Sequence, residues 1–157
     1  MIKQWTIDPL LPLVGTWTGT GTAVYPGRDT AQYREQCVFE VDERRGLLHY
    51  EQKAWVDDLI LAWESGFIRP LADGQVDLIN AQNNGRVEVM QGTLTTTDVG
   101  LDILLHSVLY GNDDKMIEAQ REIQVQGENL HYTVWTLTHV QPTMFLHLDA
   151  QLKKERS

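Results

Sequence analysis

Apolar and polar positions alternate with a period of two through most of the chain, and no sustained 3.6-residue apolar stripe extends beyond short pieces near the N-terminus. The pattern predicts strands. In "QYREQCVFEV", residues 32 to 41, Tyr33, Cys37, Phe39 and Val41 share one face with Glu35, while Arg34, Gln36 and Glu40 share the other with Val38. "KMIEAQREIQV", 115 to 125, divides in the same way. Ile117, Ala119, Ile123 and Val125 point to one side, Glu118, Gln120, Glu122 and Gln124 to the other, and Arg121 stands alone on the apolar face. One face of each strand is thus expected to meet a core and the other water.

Turn residues separate the runs at short intervals: Pro26-Gly27, Gly46, Asp73-Gly74, Asn84-Gly85, Gly92, Gly100, "GNDD" at 111 to 114 and "QGEN" at 126 to 129. The runs between them, at 15–25, 32–41, 47–56, 62–70, 75–82, 85–94, 101–108, 115–125, 129–139 and 144–152, predict about ten strands. So many strands suit a closed, antiparallel up-and-down barrel, which removes exposed sheet edges. The fold class expected is all-β, lipocalin-like, with a short helical or irregular N-terminal segment, as a single domain over 1–157. A barrel of this width is not filled by its own side chains and has room for one small apolar ligand.

Composition narrows the partners. The chain carries 13 basic and 22 acidic residues, a formal charge of −9, and its scattered cations offer no footprint for a phosphate backbone, so no nucleic-acid partner is expected. "MIKQWTIDPLLPLVG" is interrupted by Asp8, Pro9 and Pro12 and matches neither a secretory leader nor a membrane helix; a cytoplasmic protein without a membrane partner is the expectation. The single Cys37 allows no internal disulfide and no thiolate cluster, and its place in a strand pattern reads as a packed thiol. Oligomeric state leaves no mark on the pattern, and a homodimer stays open.

The stretch "GTWTGTGTAVYP", 15 to 26, sets small residues around Trp17. Trp17 is expected to plug the closed end of the barrel, with Gly15, Gly19 and Gly21 letting the first strand curl. Among five histidines, His49, His106, His131 and His139 show no metal-ligand spacing and read as surface or packing residues. His147, in "PTMFLHLDAQLKK", is different because it interrupts an apolar run. Phe145, His147 and Asp149 share one face by strand parity and Met144, Leu146, Leu148 and Leu152 the other, so the pattern alone does not say which face lines the interior.

Gly15-Thr16-Trp17-Thr18-Gly19-Thr20-Gly21 resembles the GxWxGxG motif of the nitrobindin family, haem-binding relatives of fatty-acid-binding-protein-like barrels, with Tyr25-Pro26 at the family's spacing. "YREQCVF" (33 to 39), "YEQKAW" (50 to 55), "ESGFIRP" (64 to 70), "ADGQVDLINAQNNGRVEVMQGT" (72 to 93) and "REI" (121 to 123) look like successive nitrobindin segments in order. The resemblance implies one b-type haem per chain, ferric iron held by His147 as axial ligand, binding of nitric oxide and isomerisation of peroxynitrite to nitrate. It also implies contacts to the haem from Lys115, which matches a family lysine. Departures from the family pattern fall at Gly27, Arg28 and Asp29, where Arg28 is a candidate partner for a propionate in place of a threonine; at Trp63, which replaces a pocket histidine; and at Asn83-Asn84. Around the proximal position Met144, Phe145 and Leu146 replace a more polar run.

The competing reading is a haem-free carrier of a fatty acid or another small apolar ligand, with Arg121 as inward partner of a carboxylate. A buried charge needs a partner, and a structural pairing of Arg121 with Glu35 is the alternative to a ligand. A barrel that has lost its ligand is the third reading.

Overall fold

Alternation in the sequence becomes ten antiparallel strands in the computed structural model, which describes residues 6–156. They are β1 (Gly15–Ala23), β2 (Ala31–Asp42), β3 (Leu47–Val56), β4 (Leu59–Pro70), β5 (Gln75–Gln82), β6 (Val87–Thr97), β7 (Gly100–Gly111), β8 (Met116–Gln126), β9 (Asn129–Thr138) and β10 (Phe145–Lys154). Each pairs with the next, and β1 pairs with β10 to close the barrel. The predicted turn at Gly100 lies two residues earlier: Thr97 pairs with Gly100 across Asp98-Val99, so β6 and β7 run longer than their apolar patterns. No helix among the described residues is long and apolar enough to cross a membrane.

The N-terminal segment forms a 3-10 helix, Asp8–Leu13, started by Pro9 in its first turn; residues 1–5 of the quoted N-terminal stretch lie outside the described residues. The helix closes one end. Leu10 and Leu13 are fully buried there with Trp17, whose indole N–H donates to the Leu13 carbonyl at 2.8 Å. Leu101, Ile103, Val125, Leu130 and Leu152 belong to the same buried core.

The motif glycines answer to close approach. A Cβ at Gly19 would lie 2.1 Å from the Gln151 carbonyl oxygen of β10, and one at Gly21 would lie 2.4 Å from the Tyr33 ring of β2. Tyr33 can therefore lie across β1 and point its hydroxyl into the interior.

Four bulges interrupt the ladders, at Leu61 of β4, Val108 of β7, Ile117 of β8 and His147 of β10, and the last two bear on the faces that the sequence assigns. In β10, Leu146 pairs with Trp135 and Leu148 with Val134, leaving His147 as the extra residue. In β8, Met116 pairs with Thr138 and Glu118 with Leu137, leaving Ile117 extra. Ile117 was expected on the apolar face with Ala119, but it is 45% exposed while Ala119, Ile123 and Val125 are buried. An inserted residue shifts the alternation by one, so the simple period-two reading fails at these two positions.

Candidate functional site

Opposite the helix-closed end the barrel opens into a cavity of about 380 Å3, within the range of small-molecule sites. His147 lies on its wall. Because it is the bulged residue, both His147 and its neighbour Leu148 line the cavity. The imidazole Nδ1 lies 2.8 Å from the Val24 carbonyl oxygen, and the Val24 N–H donates to the His147 carbonyl at 2.8 Å. A carbonyl only accepts, so Nδ1 carries the hydrogen and Nε2 keeps its lone pair. Burial pushes the His147 pKa down, the Val24 hydrogen bond opposes this, and the Arg86 charge adds to the lowering, so the ring is neutral near pH 7. Tyr25 and Phe145 meet the ring edge-on, with centroids at 5.3 and 6.0 Å, and fix its orientation.

A neutral, oriented imidazole with one nitrogen committed to a backbone carbonyl is the donor set of a metal-binding histidine. The residues present therefore fit a haem iron. The other histidines lie elsewhere: His49 bonds Ser65 Oγ at 3.0 Å, and His131 bonds Asp149 at 2.7 Å.

Trp63 also lines the cavity, 43% exposed, with the Lys53 ammonium 4.5 Å from its ring centroid. Lys115 and Arg28 are placed outside the lining. Lys115 is exposed in the turn before β8, where Met116, the next residue, reaches the cavity; Arg28 is exposed in the turn after Tyr25. Arg86, which the strand pattern did not single out, lines the mouth instead. Asp113 holds it through Nε and Nη2, both at 2.7 Å, and Gln82 accepts from Nη1 at 3.4 Å.

Deeper in, two polar networks form the floor. In the first, Glu35 accepts from the Tyr132 hydroxyl, from the Gln52 amide and, at 3.2 Å, from the Cys37 thiol, while Tyr132 and Tyr33 join hydroxyls at 3.0 Å. Cys37 is thus the packed thiol expected. In the second, Arg121 is nine-tenths buried and lies 3.0 Å from Glu64 and 3.3 Å from Glu88. Arg121 and Glu35 both point inward, but the expected pairing between them is not made: Arg121 reaches from β8 across the interior to β4 and β6. Glu64 and Glu88 had a signal that strand parity carries. Glu64 shares a face with Ile68, and Glu88 shares one with Met90, both fully enclosed apolar positions.

Burial drives the Glu35 pKa up to about 7, against the hydrogen bonds from Tyr132, Cys37 and Gln52 that lower it. A folded-state pKa above the unfolded value of 4.5 means that stability is fully present below 4.5 and is lost as pH rises toward about 7. The loss amounts to about 3 kcal/mol. Glu35→Gln, which cannot ionise, is expected to show a melting temperature that falls less between pH 5 and 8 than that of the unsubstituted protein. Parallel pH profiles of the two by calorimetry would refute the assignment.

The model of the family described as "THAP4-like, heme-binding beta-barrel domain" matches residues 6–154. A protein named peroxynitrite isomerase Rv2717c, from Arabidopsis thaliana, is 35% identical over 94% of this chain and 88% of its own. Peroxynitrite isomerase 2 of Mycobacterium marinum is 29% identical over 95% of this chain and 94% of its own. The crystal structure of Rv2717c from M. tuberculosis superposes with a TM-score of 0.86 at 27% identity, covering 96% of this chain and 97% of that one. With the glycine-tryptophan strand, the ten-stranded barrel and nearly the whole chain matched, this protein belongs to the THAP4-like haem-binding β-barrel family, the nitrobindins.

Proposed function

We propose that the cavity holds one b-type haem per chain, with Nε2 of His147 as the axial ligand of ferric iron, and that the loaded protein binds nitric oxide and isomerises peroxynitrite to nitrate. The observation that carries this is the His147 imidazole itself: neutral, on the cavity wall, with its other nitrogen donated to Val24. Names of the relatives supply the reaction. Bound ferric haem supplies a Lewis-acidic iron with a coordination position for a small ligand.

The protein's own part is to hold, orient and shelter. His147 is kept neutral by burial and aimed by Val24, Tyr25 and Phe145. Leu61, Met116, Val134 and Leu148 give the cavity apolar walls that hold few competing nucleophiles. Trp63 makes one wall an aromatic surface. Arg86, locked by Asp113, is the cation best placed for a propionate, because it lines the mouth and Arg28 and Lys115 do not.

Titration with haemin is expected to develop a Soret band that saturates at one equivalent per chain. Peroxynitrite added to the loaded protein should then yield more nitrate than an equal amount of free haemin. A yield no higher than that of free haemin would remove the isomerase reading and leave haem binding standing.

A further inference from the structure

The cavity floor carries chemistry that holding a haem does not use. Glu64 Oε2 accepts from Tyr50, Asn80 and Arg121, and Glu88 Oε1 accepts from Asn80 and Arg121. The second oxygen of each carboxylate has no hydrogen-bond partner among the described residues. Arg121, nine-tenths buried on the cavity lining, likewise has its Nε–H without a partner. One guanidinium thus faces two carboxylates, and what the floor leaves open to a ligand is acceptor oxygen, the Arg121 Nε–H being enclosed.

A carboxylate entering this space only accepts. It would find Arg121 already engaged and would bring a third negative charge against Glu64 and Glu88 in a site shielded from water, where like charges repel more strongly than at the surface. A hydroxyl or a primary amide both donates and accepts and adds no charge.

We propose that the cavity floor is a subsite selective for neutral head groups that donate hydrogen bonds, a hydroxyl or a primary amide, and that Glu64 and Glu88 exclude carboxylates from it. This reverses the preference expected of Arg121 as the partner of a fatty acid. It rests on the reading of the cavity as the ligand site and is independent of whether haem binds there.

The test uses the haem-free full-length chain at about pH 6, where a fatty carboxylate is ionised while Glu35 still keeps most of its proton, in about 0.5 M NaCl so that the surface charge is screened. Calorimetric titration compares decan-1-ol, decanamide and decanoate. The alcohol and the amide are expected to bind at least tenfold more tightly than the carboxylate, and the gap should shrink at least threefold in Glu88→Gln, whose amide oxygen can still accept from Asn80 and Arg121. Decanoate binding as tightly as the alcohol, no binding of either neutral probe, or an unchanged gap in a folded Glu88→Gln protein would each overturn the proposal. Should Glu88→Gln fail to fold, the comparison of the three probes on the unsubstituted chain decides. Haemin titration of the same preparations separates the two readings: a normal Soret band alongside lost selectivity rejects the subsite and leaves the haem site intact, and the reverse result does the opposite.

Discussion

Replacing His147 with alanine is expected to abolish the Soret band of the histidine-ligated ferric protein and to weaken haemin binding by more than the roughly 10–100-fold that follows loss of a group merely supporting a ligand. The fold should survive. Val24 keeps its backbone hydrogen bond to the residue 147 carbonyl in the variant, and only the bond from Nδ1 is removed, worth about 1 kcal/mol. Added imidazole should restore a histidine-like spectrum, because the truncated side chain leaves space for it on the cavity wall. A His147→Ala protein with an unaltered haem spectrum would transfer the ligand role to another residue. Loss of haem together with loss of cooperative melting would instead mark His147 as structural.

Arg121→Met is the second large effect, on stability. Removing the guanidinium leaves Glu64 and Glu88 as uncompensated acids inside the barrel, and breaking a buried ion pair from one side costs about 3–5 kcal/mol. In a domain of this size that lowers the melting temperature by roughly 6–20 °C. Adding Glu64→Gln and Glu88→Gln to Arg121→Met should recover much of the loss, because the cost lies in unpaired charge more than in lost packing. If the triple variant melts no higher than Arg121→Met, the ion-pair account is wrong. The pairing also explains how a carboxylate-rich interior coexists with a folded core: each acid is tied to adjacent strands, Glu64 by Tyr50 and Asn80 and Glu88 by Asn80, and across the interior by Arg121. Glu35 is handled by another route, burial raising its pKa so that the proton is retained toward neutrality.

The polar floor and the histidine rim were not equally legible. Arg121 and Glu35 stand out in the sequence because each is a lone charge on an apolar strand face, and both prove to be inward. Their partners are another matter. Strand parity places a side chain inside or outside but says nothing about which opposite wall it meets, so Glu64 and Glu88, 57 and 33 positions from Arg121 in the chain, emerge only when the sheet closes. Arg86 has no parity signal of its own; it follows the Asn84-Gly85 turn, and its role at the mouth comes from Asp113 in a different loop.

The barrel follows from the residue pattern: alternation sets strands, turn residues set their ends, and ten hairpin-linked strands must close to satisfy their edges. The same pattern marks the end sealed by Trp17, whose bulk and surrounding glycines leave it little choice but a close-packed corner. Tertiary structure alone decided how His147 meets the cavity. Parity set Leu148 and His147 on opposite faces; the bulge opposite Trp135 and Val134 inserts one residue, so both line the cavity, and Val24 then fixes which nitrogen is free. A bulge is a property of two paired strands and their register, and for that reason no single strand's pattern could have announced it.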